Sequence, residues 1–187
     1  MFTSKKIMPT DKEIVTTMQK NPEKGFRLLM SSYMQPVYWH IRRLVVAHDD
    51  AQDATQETFM RVFRAFDQYK PEHALKPWIF RIATHEALRL LGHQQGKIML
   101  SLDDEASAEL FNLKADEYVD YGDKLAVKLQ QAVLTLPVKQ QLAFNFRYFD
   151  ELSYEEIAII TDSTAANVKA NYHFAKEKIV EYMKNHD

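Results

Sequence analysis

Ser153-Tyr-Glu-Glu-Ile-Ala-Ile-Ile-Thr-Asp-Ser-Thr-Ala-Ala-Asn-Val-Lys169 reads as two short helices joined by a tight turn. Ser153 and Glu156 stand three apart, the spacing at which each side chain caps the other's backbone N–H and starts a helix. Thr164 is placed to cap a second helix. From Val168 the apolar residues Val168, Tyr172, Ala175 and Ile179 recur at helical spacing and predict one core-facing stripe. The opposite face then carries Ala166, Ala170, His173 and Glu177, flanked by Asn167, Lys169 and Phe174. At the turn, Asp162 and Ser163 stand where a glycine is common, and Asp tolerates the left-handed conformation better than most residues.

Two readings of this segment are open. It is a structural helical hairpin, or it is a helix-turn-helix whose second helix enters the DNA major groove by its N-terminal half. Small residues such as Ala166 and Ala170 permit the close approach the second reading needs.

Outside this stretch, composition sets the class. A chain of 187 residues with 46% hydrophobic residues can build one domain or two small ones. It has no cysteine, which excludes disulfides, thiolate zinc sites and cysteine nucleophiles together. The N-terminal residues lack the apolar core of a signal peptide, and the longest aliphatic run, Leu44 to Ala47, is far short of a membrane span. A soluble cytoplasmic protein without membrane insertion is expected.

The net charge of −2 hides a division along the chain. Residues 1–93 carry 14 Lys/Arg against 10 Asp/Glu, residues 94–123 carry 2 against 8, and residues 124–187 carry 8 against 8. A protein that bound DNA unaided would be more basic, because phosphate neutralisation supplies most non-specific affinity.

The chain has four glycines and no bounded alternation of apolar and polar residues, so an all-α fold is predicted. Thr10 with Glu13 caps a first helix carrying Ile14, Val15 and Met18. Pro22 opens a second and Pro36 a third, with Val37, Ile41, Leu44 and Val45 inward. Asp49 or Asp50 caps a fourth, with Ala51, Ala54, Phe59, Val62, Phe63 and Phe66 inward and Asp53, Gln56, Glu57, Arg61 and Arg64 outward. Pro77 lies in the first turn of a fifth helix that Gly92 stops near Leu91. After an acidic linker, Leu125, Leu129, Ala132, Val133 and Leu136 begin another helical unit, restarted at Pro137. The expectation is two small helical domains, 1–93 and 124–187, joined by a linker at 94–123, the second domain holding the helix-turn-helix.

In this order the chain resembles the small extracytoplasmic-function (ECF) type of bacterial RNA polymerase sigma factor, over nearly its whole length. Asp50-Ala-Gln-Asp-Ala-Thr-Gln-Glu-Thr-Phe-Met-Arg-Val-Phe63 is similar to the family's polymerase-binding helix. Lys76-Pro-Trp-Ile-Phe-Arg-Ile-Ala83 is similar to its promoter-melting, minus-ten-reading helix. Leu134-Thr-Leu-Pro137, Ser153 to Ala158 and Asn167-Val-Lys169 match its minus-thirty-five-reading region. The resemblance implies core RNA polymerase and promoter DNA as partners, an anti-sigma factor as regulator, and neither a cofactor nor a small-molecule substrate.

Carried onto these positions, the polymerase-binding candidates are Asp53, Gln56, Glu57 and Arg61, a polar ridge that otherwise is an ordinary solvated face. The minus-ten candidates are Lys70, His73, Lys76, Trp78, Arg81, His85 and Arg89, combining cations for phosphate with rings for unstacked bases. Trp78 is equally placed to join the core, with Ile82 four residues on. The minus-thirty-five candidates are Thr164, Asn167, Lys169, Ala170, His173 and Lys176.

The chain departs from the family in two places. Where the fifth helix usually carries Asn and ends in arginines, it has His85 and Leu91-Gly-His-Gln-Gln-Gly-Lys97. In the recognition helix, Asn171 and Phe174 replace customary arginines. The acidic linker reads as a solvated tether; by resemblance it threads through polymerase on ground meant for RNA.

An enzyme reading fails on spacing. Thr84-His-Glu-Ala-Leu-Arg-Leu-Leu-Gly-His93 has the outline of a metal-dependent hydrolase helix, but a zinc pair needs His at i and i+4, and position 89 is Arg. A sigma-like decoy or helix-turn-helix regulator that acts without recruiting polymerase is the remaining alternative.

Overall fold

The computed structural model describes residues 8–94 and 124–186, and these form α-helices and one 3-10 turn with no strand among them. The first unit comprises α1 (Asp11–Lys20), α2 (Pro22–Val45), α3 (His48–Ala65), a 3-10 turn (Phe66–Gln68) and α4 (Leu75–Gln94). The second comprises α5 (Lys124–Leu134), α6 (Val138–Tyr148), α7 (Tyr154–Ile160) and α8 (Ala165–Asn185). The linker expected at 94–123 lies, after Gln94, outside the described residues.

Local chemistry starts these helices where the sequence predicts. Thr10 and Glu13 form a reciprocal capping box on α1, and Asn21 caps α2 ahead of Pro22 at its first position. Between these helices Gly25 is pressed against Met18: a Cβ at position 25 would lie 2.3 Å from the Met18 backbone nitrogen. Only a residue without a Cβ lets α1 and α2 approach so closely.

Three boundaries differ from expectation. Pro36 does not start a helix but lies inside α2. It forfeits one backbone hydrogen bond, yet Leu29, Tyr33, Val37, Ile41 and Leu44 continue one buried stripe past it. The packing of that stripe against α1, α3 and α4 holds the helix together. Neither Asp49 nor Asp50 caps α3. Val46 turns sharply with φ 66°, placing Ala47 at the cap without a side-chain bond, and both acids fall in the first turn where they complement the helix dipole. Gly92 does not stop α4, which runs on to Gln94.

The two units share a core. α2, α3 and α4 bury Ile41, Leu44, Val62, Ile79, Phe80 and Ala83, and the same cluster continues into Leu142, Phe146, Ile157 and Ile160 of the second unit. α4 packs on α7 and α2 on α6. A smaller cluster of Ala132, Val133, Leu136, Phe144, Ala175 and Ile179 belongs to the second unit alone. Burying a side chain the size of Phe146 contributes about 1.5–3 kcal/mol, whereas the exposed Arg81–Asp162 pair contributes about 0–1 kcal/mol and the desolvation of the buried Arg43–Asp150 pair offsets much of its attraction. Apolar packing therefore supplies most of the attraction between the units, and charged pairs fix their register.

Candidate nucleic-acid interface

The C-terminal hairpin has the geometry its sequence predicts. Ser153 and Glu156 cap α7 reciprocally, and the Asn167 N–H donates to Thr164 Oγ1 at 3.2 Å to start α8. Between them Asp162 takes φ 49°, the left-handed conformation the turn requires. Val168, Ala175 and Ile179 are buried and Tyr172 partly so, which rotates Ala166, Asn167, Lys169, Ala170, His173 and Lys176 outward. Asn171 Nδ2 donates to the Asn167 carbonyl at 3.0 Å, His173 lies 3.3 Å from Glu177, and the Lys176 ammonium sits over the Tyr172 ring at 4.9 Å. Phe174, half exposed on the same stretch, is an unusual aromatic on such a face. The arrangement offers a helix N-terminus, small residues and amides to a groove, with few cations.

The minus-ten candidates divide into two groups. Lys70 and His73 are exposed on the loop before α4, where Tyr69 Oη donates to the His73 carbonyl at 2.5 Å. Trp78 is half-buried, its ring 5.0 Å from Tyr69 and 6.4 Å from Phe66, so it is shared between the core and the loop surface. The α4 cations are engaged inside the protein. Lys76 Nζ donates to the Asp150 carbonyl at 3.1 Å, Arg81 lies 2.7 Å from the Asp162 carboxylate, and Arg89 lies 2.9 Å from Glu86. His85 keeps an exposed ring beside Arg81, and loss of surrounding water with that cation pushes its pKa down.

On α3, Asp53 and Gln56 are exposed and Glu57 partly so. Arg61, nearly half exposed, bridges the ridge to α4: its guanidinium lies 3.2 Å from Glu57 and 2.7 Å from Glu86, whose side chain is 3% exposed. Glu86 thus holds one arginine from α3 and one from α4. Sequence reading missed it, although an acid between the buried Ala83 and Ala87 is a visible anomaly. Phe63, expected inward, is half exposed and meets Phe26 edge-on at 5.0 Å, with the exposed Met60 nearby in sequence. One turn of helix places the inward stripe on Phe59 and Val62, leaving Phe63 at its border.

Among the described residues, no group of three or more His, Asp or Glu is placed to hold a metal, and no helix is long and apolar enough to cross a membrane.

Comparison with known proteins gives these surfaces a context. Residues 29–96 match the family model for sigma-70 region 2, and residues 126–179 match that for sigma-70 region 4. The chain is 30% identical over 177 residues to the ECF RNA polymerase sigma-E factor of Escherichia coli K12, covering 91% of this chain and 92% of that protein. It is 27% identical over 176 residues to the RNA polymerase sigma-H factor of Pseudomonas aeruginosa, covering 90% and 91%. In fold it is similar to CnrH, solved in complex with the cytosolic domain of CnrY, with a TM-score of 0.72 at 16% identity over 95% of this chain and 99% of that one. It is also similar to the sigma factor RpoE solved with the anti-sigma factor NepR from Bartonella quintana, with a TM-score of 0.64 at 20% identity over 88% and 99%. With both regions matched in order and its relatives aligned over almost their whole length, the chain belongs to the sigma-70 family as an ECF RNA polymerase sigma factor, a DNA-binding factor of transcription initiation and not an enzyme.

Proposed function

We propose that the two units divide promoter recognition between them. The first, residues 1–93, docks on core RNA polymerase through Asp53, Gln56, Glu57 and Arg61 of α3. The same unit reads and melts the minus-ten element through Lys70, His73, Lys76, Trp78, Arg81, His85 and Arg89. The second, residues 124–187, reads the minus-thirty-five element with α8, where Thr164, Asn167, Lys169, Ala170, His173 and Lys176 face the major groove. The acidic linker joins them. The observation that carries this reading is the outward row on α8, polar and small where the buried stripe of the same helix is apolar. Such a row has no packing role and suits close approach to base edges.

The partners follow from the same reading: core RNA polymerase, promoter DNA and an anti-sigma factor. The last is supported by the two fold neighbours, each of which was solved bound to another protein, in one case a named anti-sigma factor. Polymerase and promoter place the protein in the cytoplasm. Reconstituted transcription tests the whole: core polymerase with this protein should start discrete transcripts on genomic fragments, and no specific start on any fragment would favour a decoy that binds a regulator without recruiting polymerase.

A further inference from the structure

Phe174 has no place in the interior of the protein. Val168, Ala175 and Ile179 fix the buried face of α8, and Phe174 falls on the opposite side, 50% exposed and outside both apolar clusters. Its one ring contact among the described residues is with its chain neighbour His173, the ring centroids 6.0 Å apart and tilted. A single exposed apolar side chain is ordinary on a protein surface. The position of this one sets it apart: it lies one turn beyond Ala170 and two beyond Ala166, on the row of α8 that is turned outward.

A helical side chain slants toward the N-terminus of its helix and covers the turn before its own Cα. The Phe174 ring therefore extends along the outward face toward Ala170, whose methyl leaves the ring edge open. The neighbouring charges are engaged on the helix itself: Glu177 lies 3.3 Å from His173, and the Lys176 ammonium sits over the Tyr172 ring. An apolar edge is thus what this part of α8 offers to a groove. In the major groove only thymine presents an apolar group, its C5 methyl, whereas guanine, adenine and cytosine present hydrogen-bond donors and acceptors. A phenyl ring placed over those groups strips their water and returns no hydrogen bond.

We propose that Phe174 is a specificity-determining residue of α8 that selects thymine in the upstream element by its C5 methyl, Ala170 leaving the room the ring needs to reach it. This rests on the assignment of α8 to the major groove. The contact makes one A·T pair part of the recognised sequence without any hydrogen bond to it, and rejects the other bases by leaving their edge groups dry and unpaired.

A selection that removes only the methyl tests this. Core polymerase loaded with the full chain, and separately the full chain alone at low salt, select duplexes from a random pool made once with thymidine and once with deoxyuridine in its place. Deoxyuridine lacks the C5 methyl and keeps every hydrogen-bonding group. From the thymidine pool the wild type should enrich thymine at one position, and Phe174→Ala should lose that preference while other positions keep theirs. From the deoxyuridine pool the wild type should lose it as well. On a selected duplex, replacing that one thymidine by deoxyuridine should weaken wild-type binding about fourfold, the value of burying one methyl-sized group, and should leave Phe174→Ala binding unchanged. Because Phe174 lies outside both apolar clusters, circular dichroism should show the variant folded, and the deoxyuridine arm needs no variant at all. No enriched thymine with the wild type, a preference that survives in deoxyuridine, or one that Phe174→Ala retains would overturn the assignment. Weakened core-polymerase binding by Phe174→Ala with its base preferences intact would overturn it too, by placing the ring against protein. A wrong sigma assignment would show separately, as absence of specific transcripts with core polymerase while selection on the chain alone still reads Phe174.

Discussion

His40 lies with no exposed surface between the two units, its ring stacked 4.4 Å from Phe146 and its Nε2 2.9 Å from Thr84 Oγ1 of α4. The charged groups facing it are Arg43 on its own helix and, from the second unit, the Asp150 carboxylate at 3.8 Å, itself reached by Arg43 and by Lys76 of α4. Burial, helped by Arg43, holds the imidazole well below the usual histidine pKa. The released ring takes up a proton as pH falls through its ordinary value and the buried ring does not, so stability should fall below about pH 6.5. Asp150, whose carboxyl burial pushes up despite Arg43, opposes this at more acidic pH. His40→Gln should flatten the pH dependence of the urea midpoint between about pH 7.5 and 5.5; an unaltered slope would mean the ring does not set it. At Glu86, removing the charge while keeping the shape weakens two charge-assisted bonds at once. Because Arg61 and Arg89 are nearly half exposed and can rehydrate, Glu86→Gln should cost about 1–2 kcal/mol in urea unfolding, not the larger penalty of a stranded buried ion.

Among the elements, α1 and α2 meet at Gly25. A methyl there would strike the Met18 backbone, which cannot rotate away as a side chain could. Overpacking of this kind costs about 1–3 kcal/mol and exceeds the roughly 1 kcal/mol that replacing glycine returns to a helix. Gly25→Ala should therefore lower the thermal midpoint, and a rise would show that α1 can shift freely. On α3 the exposed acids and amides are the polymerase ridge proposed above. Gln56→Ala with Glu57→Ala should weaken co-purification with core polymerase while circular dichroism keeps its helical signal, since neither side chain enters the core. Which boundaries were legible follows from the range of the interactions involved. Thr10 with Glu13, Ser153 with Glu156, and Asp162 at the turn each act within four residues, and each has its predicted role. Pro36 and Gly92 were misread as boundaries because tertiary packing carries both helices past residues whose intrinsic preference is to stop them.

For the whole molecule, charge and closure act together. The region-2 unit carries the positive excess, yet several of its cations are held internally, and the region-4 unit is neutral overall. Free protein should bind promoter duplex weakly and with a shallow salt dependence, whereas its complex with core polymerase should bind tightly, polymerase supplying the missing phosphate contacts. Titrating labelled promoter fragments with each form over a range of salt checks this. Tight sequence-specific binding by the free protein would contradict it.

The sequence by itself determined the helical class, the order of the elements, both capping boxes, the left-handed turn and the face of α8 that points outward. These depend on spacings of three or four residues, which chain connectivity brings together whatever the rest of the molecule does. Only the tertiary structure decided that Arg43 meets Asp150 across 107 residues and Arg81 meets Asp162 across 81, that Glu86 gathers two arginines, and that Phe63 turns outward. The reason is physical: partners so distant in sequence meet only where two apolar faces fit together, and that fit depends on the shapes of whole helices and not on any short run of residues.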